Sequence, residues 1–265
     1  MTTANDIIEA MLSMQNEQQR QVLMRFFKTG PGEYGEGDQF LGLKVPQTRQ
    51  IVKEVRHQVS LYEIRKLLYS PWHEVRLSCF LLLVEEMNAA LPKAARKRGL
   101  TESSENLQVK AQRREEIASF YLHHARQANN WDLVDLSCSY ILGNWLLYPL
   151  PNGQLPDRHI LDRLAASPNL WEQRIAIVST HMLIRHHQYA DTLRIATSLL
   201  THPHDLIHKA IGWMLREVGK RDVEVLRAYL ARYHTHMPRT ALRYAIERLS
   251  SDERAGWMRN FFLKT

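Results

Sequence analysis

Three prolines, Pro168, Pro203 and Pro238, stand 35 residues apart. Behind each runs a segment with apolar residues at spacings of three and four. The same pattern marks residues 61–68, 75–87, 117–126, 133–147, 174–184, 207–218 and 223–233, and no long stretch alternates with period two. Spacing of this kind is that of helices with one buried face. Ser70-Pro71, Ser167-Pro168 and His202-Pro203 read as helix starts. The chain is therefore expected to be all-α.

Recurrence gives the architecture. Arg174 and Lys209 are also 35 residues apart, and the string Arg76-Leu77-Ser78-Cys79 returns as Asp135-Leu136-Ser137-Cys138. One helix pair per ~35–45 residues is the period of HEAT-like or armadillo-type solenoids, in which each pair buries its apolar face only against its neighbours. An irregular helical bundle is the plainer alternative. A single domain over residues 1–265 is expected, with polar insertions near 30–38, 88–114 and 148–157. The first of these, GPGEYGEGD, is expected to be mobile.

Charge points to a partner. Lys and Arg total 35 against 28 Asp and Glu, a net charge of +7, and a basic excess favours a polyanion. Other classes fall away. The longest apolar run, residues 79–84, is far short of the ~20 needed to cross a bilayer, and the polar start of the chain lacks the pattern of a secretion signal. Two cysteines, Cys79 and Cys138, without a CxxC, exclude a disulfide framework and a cysteine zinc site, and fit a cytoplasmic, nucleoid-associated protein. The densest histidine cluster is His202, His204 and His208, but no HExxH motif accompanies it, and no metal is expected. No glycine-rich loop suggests a nucleotide cofactor.

Aligning the repeats places Arg76, Asp135, Arg174, Lys209 and Arg243 at one position. Four of the five are cationic, and stacked repeats would line them up as a stripe able to neutralise successive phosphates. The bland reading is a solvated helix face. Asp135 breaks the trend, since a carboxylate there repels phosphate. Trp131 lies four residues before it on the same face, and Lys209 and Trp213 have the same relation, with Arg216 a further step on. Aromatic rings beside a lone carboxylate framed by cations suit the stabilisation of positive charge on a nucleic acid.

Four segments carry a resemblance. Residues 131–135 (WDLVD), 169–174 (NLWEQR), 209–217 (KAIGWMLRE) and 40–49 (FLGLKVPQTR) resemble the AlkD-type DNA glycosylases, in that family's order, from about residue 20 to 250. The resemblance implies a C-shaped solenoid with duplex DNA in a basic concave groove. It implies hydrolytic removal of N3- and N7-alkylated purines. No cofactor is expected, and a curved solenoid reading a duplex alone can be a monomer. The family's catalytic carboxylate falls on Asp135, its groove tryptophans on Trp131 and Trp213, and its groove arginine on Arg174. Arg76, Lys209, Arg216, Arg243 and Lys44 are the further DNA-binding candidates. The resemblance also implies recognition through the DNA backbone, with the damaged nucleotide exposed and not swallowed. Two departures stand out: where some members present a tyrosine from an N-terminal helix, the nearest residues are Phe26 and Phe27, and Lys44 replaces a neutral residue. A non-catalytic repeat module binding DNA or protein is the competing reading, and Asp135 separates the two.

Overall fold

A computed structural model of the chain describes residues 2–92 and 102–262. The basic residues Lys93, Arg96, Lys97 and Arg98 of the 88–114 insertion lie outside the described residues. Among the described residues there are α-helices, a few tight turns and no strand, as the periodicity predicts. None of these helices is long and apolar enough to cross a membrane. The chain divides into two compact units that meet in sequence near residue 141, residues 150–154 returning to the first.

The first unit holds α1 (Ala4–Leu12), α2 (Glu17–Phe26), α3 (Val45–Val55), α4 (Leu61–Leu68), α5 (His73–Ala90), α6 (Ser104–His123) and α7 (Trp131–Asp135). Its centre is α5, against which α1, α3, α4, α6 and α7 all pack. The apolar run at residues 79–84 is the middle of this helix and is buried on every side. A helix apolar around its whole circumference is one that neighbours enclose.

The second unit holds α8 (His159–Ala165), α9 (Leu170–Arg185), α10 (Ala190–Ser198), α11 (Asp205–Gly219), α12 (Val223–Tyr233), α13 (Arg239–Ala245) and α14 (Ser251–Phe262). Helices α9, α11 and α13 lie in a row, with α8, α10 and α12 packed against it as a second layer.

The repeat is visible in the turns. The residue before Pro71, Pro168 and Pro203 accepts a hydrogen bond from the backbone N–H two residues on. Ser70 Oγ takes Trp72 N at 3.2 Å, Ser167 Oγ takes Asn169 N at 3.1 Å, and His202 Nδ1 takes His204 N at 3.0 Å. That N–H belongs in each case to the helix cap. Pro71, Pro168 and Pro203 thus stand one residue before the cap, not in the first helical turn, and Pro238 is itself the cap of α13.

Residues 133–147, expected as one helix, are not one. Helix α7 ends at Asp135, and a π-helical turn follows at Ser139–Gly143. Ser137 explains the break: its hydroxyl donates to Leu133 O at 2.5 Å, adding a side-chain donor at the carbonyl four residues back.

Candidate functional site

The caps give a common ruler. The fifth helical residue is Asp135 in α7, Arg174 in α9, Lys209 in α11 and Arg243 in α13, after caps Asn130, Asn169, His204 and Pro238. In α5, after cap Trp72, the fifth residue is Leu77 and Arg76 is the fourth. One residue turns a helix by roughly 100°. Arg76 is 5% exposed, with its guanidinium on the carbonyls of Ser70 and Pro71 and on Asp38 Oδ1 at 2.5 Å. These partners tie it into its own turn; Arg174, at the common fifth position, is equally buried.

Asp135 and Trp131 come together where α7 faces the head of α5. They line a cavity of about 460 Å³ with Phe26, Phe27, Phe40 and Leu77, and Lys44 stands among its lining residues. Trp131 stacks on Phe27 (centroids 5.3 Å apart, planes at 22°) and meets the edge of Phe26 at 5.8 Å. Phe26 is 60% exposed while Phe27 is buried. The N-terminal aromatic residues therefore do reach the Trp131 ring, with no hydroxyl.

Residues 40–44 form one wall, and Glu74 shapes it. Its buried carboxylate accepts from the backbone N–H groups of Leu41 (2.9 Å), Gly42 (2.9 Å) and Leu43 (3.0 Å). Gly42 has φ +90°, and a Cβ there would collide with Asn16 O. Only glycine adopts this left-handed backbone without strain.

Behind the aromatic wall lies a buried ion network that sequence reasoning missed. His73, the first residue of α5, places Nδ1 2.7 Å from Asp38 Oδ2 and Nε2 2.9 Å from Asp132 Oδ2. Phe40 stacks on its ring at 4.4 Å, and Phe27 lies 5.0 Å away. Burial pulls the imidazole pKa down, but Asp132 and Asp38 outweigh it and push it up to about 9. Burial likewise acts upward on Asp38, and its cationic neighbours His73 and Arg76 hold its carboxyl below the usual range. Asp38 ends the 30–38 segment, so that loop, expected to be mobile, is anchored in the core at its last residue. The one trace in the sequence is a His-Glu pair heading the most apolar helix.

In the second unit, Arg243 is exposed. Lys209 pairs with Asp205 at 2.8 Å, and Arg216 pairs with Glu247. Arg174 is only 5% exposed and donates to Leu206 O at 2.5 Å, across to the start of α11. Trp213 is half-buried, its ring 5.9 Å from that of His181. His202 and His208 serve the turn before α11: His202 bonds Gln173, and His208 bonds the His202 carbonyl. Among the described residues no group of three potential ligands is placed to hold a metal ion.

Comparison with known proteins agrees with this picture. The DNA alkylation repair enzyme family profile matches residues 7–249. No curated protein gives a significant match. Among solved structures, a predicted DNA alkylation repair enzyme from Enterococcus faecalis superposes with a TM-score of 0.62 at 17% identity, covering 89% of this chain and 97% of that one. At that identity the likeness shows the shared all-helical fold. The family match spans nearly the whole chain, and on that ground the chain belongs to the DNA alkylation repair enzyme family.

Proposed function

We propose that the chain is a monofunctional DNA glycosylase that hydrolyses the N-glycosidic bond of N3- and N7-alkylated purines in duplex DNA. The observation that carries this reading is Asp135 beside Trp131 on an aromatic cavity, in a chain of a DNA repair family.

The chemistry asks little of the protein. An N3- or N7-alkylated purine already carries positive charge, so it leaves as a neutral base without a general acid. What remains is the positive charge that develops on the deoxyribose, and a water to trap it. A carboxylate supplies the first directly. A unit charge pair at ~4 Å with an effective dielectric of ~20 is worth about 4 kcal/mol, roughly three powers of ten in rate. Asp135 is assigned this role, alone or while orienting the water. Trp131 offers the electron-rich face of its ring to the same cationic sugar. On the second unit, Trp213, Lys209, Arg216, Arg243 and Arg174 are assigned to the DNA strand. Lys44 is assigned to it on the first, since cations of this kind fix the register of the backbone.

The test is base release from methylated duplex DNA by the wild type and Asp135→Asn. The expected result is release of 7-methylguanine by the wild type, a loss of about three orders of magnitude in the variant, and DNA binding retained in both. A wild type that releases no base at all overturns the reading in favour of a binding module.

A further inference from the structure

The fold spends an unusual group on holding α7. Most of the buried side chains around the cavity are apolar, yet His73, 1% exposed, sits between Asp38 from the 30–38 loop and Asp132 from α7. A neutral imidazole has one N–H, and only the protonated ring donates from both nitrogens. Both nitrogens here face carboxylate oxygens, so the geometry is that of the cation.

The two carboxylates are not equally placed. Asp38 has a second cationic partner, Arg76, at 2.5 Å. Asp132 is 4% exposed, and its other oxygen, Oδ1, is buried with no hydrogen-bond partner among the described residues. Among the described residues its side-chain hydrogen bond is to His73. Asp132 is the second residue of a five-residue helix, directly after Trp131 and three before Asp135. Loss of the imidazole proton would leave a buried carboxylate facing a lone pair, which costs free energy unless α7 shifts.

We propose that His73, acting through Asp132, is the positioning residue that holds Trp131 and Asp135 in their working places, and that it does so only while both its ring nitrogens carry protons. This rests on the glycosylase reading of the Asp135 site. The charged groups around the ring are few. Asp38 faces it from the loop and Asp132 from α7. Arg76 of α5 sits on Asp38, and Glu74 of α5 is turned to the amides of residues 41–43. Asp135 and Lys44 border the same cavity. Phe27 and Phe40, which cover the ring, are uncharged. The ordinary titration of a histidine would fall below neutrality, whereas this one, held up to about 9, stays charged at physiological pH and discharges in mild alkali.

The experiment follows two signals against pH in the wild type, Asp132→Asn and His73→Gln. One is the single-turnover rate of base release. The other is the Trp131 fluorescence, identified by difference from Trp131→Phe. In the wild type both should change with a midpoint near pH 9, the rate falling about tenfold for each further unit. Asp132→Asn keeps the shape of the side chain and an acceptor oxygen but removes one of the charges that raise the imidazole, so both midpoints should move down by about 1–3 units. His73→Gln should be slow at neutral pH and lack the transition. Midpoints unmoved by Asp132→Asn, or a wild-type rate in His73→Gln, overturn the proposal. If the fluorescence transition appears and shifts while no variant releases base, the positioning role stands and the glycosylase reading falls.

Discussion

Replacing Glu74 by alanine tests how the 40–44 wall is built. The carboxylate accepts three backbone N–H groups at 2.9–3.0 Å, and the residue is buried. Alanine removes every acceptor at once. An orphaned buried donor costs about 1–3 kcal/mol. Three of them, allowing for partial relaxation, put the loss at about 3–5 kcal/mol, a large part of the ~5–15 kcal/mol by which a domain is stable. Glutamine separates the contributions. Its single carbonyl oxygen can replace Oε1, which serves Gly42 and Leu43, but then its amide donates toward the Leu41 N–H. The loss for Glu74→Gln should therefore be about 1–2 kcal/mol, from one unmet donor. Urea unfolding gives the magnitudes, and amide hydrogen exchange over residues 40–44 shows where they arise, since the three amides should lose protection first. Because Phe40, Leu43 and Lys44 all line the cavity, base release should slow in the same order. Equal stabilities for the wild type and Glu74→Ala, or protection lost elsewhere while residues 41–43 stay protected, would refute the reasoning.

Two further substitutions separate packing from site chemistry. In Gly212→Ala the new Cβ would lie 2.5 Å from Ala241 O and against the Tyr244 Cβ. The row of α11 on α13 must open, at a cost of about 1–3 kcal/mol, and an unchanged melting temperature would show that the helices do not approach so closely. Phe26→Ala removes a ring that is 60% exposed, so stability should move by no more than about 0.5 kcal/mol. Base release should nonetheless fall several-fold, because the ring borders the cavity and meets Trp131; an unaltered rate would take Phe26 out of the site.

How far these features can be read from sequence depends on their physics. Helical periodicity is a surface-to-core alternation, and it is written in consecutive residues, so the all-helical class was legible from stretches such as 207–218 and 223–233. The repeat was legible too, because Ser167-Pro168 and His202-Pro203 stand a fixed distance apart. Register was harder. Arg76 follows Pro71 by five residues where Arg174 and Lys209 follow their prolines by six, and that single residue takes it off the helix position the other repeats share. Asp135 and Trp131 could be paired because they share one short helix. The ion network could not, since Asp38, His73 and Asp132 are 35 and 59 residues apart and meet only through the packing of α5 against α7 and the loop. Glu74 reads as an ordinary helix-start acid. Nothing local says that its acceptors face a neighbouring loop in place of its own first turn.

The size of α7 ties these observations together. A helix of five residues has hardly more than one turn, and an isolated turn is unfavourable in water because ordering its backbone outweighs the bonds it makes. Its direction must come from tertiary contacts. Leu133 and Val134 supply apolar burial, which holds the helix down but does not fix its rotation strongly. Two directional contacts are the Asn130 side chain, which accepts from Trp131 N at 2.8 Å, and the Asp132 carboxylate on His73, beside the Trp131 ring on Phe27. Side chains on a helix lean back toward its start, so a carboxylate at the fifth position lies over the turn that Asn130 and Asp132 secure. In α11 the equivalent Lys209 is carried on a helix of 15 residues, whose apolar packing along several turns sets its orientation. The one repeat that presents a carboxylate at this position is also the one whose helix is too short to aim it unaided, and the imidazolium of His73 is what the fold supplies in place of length.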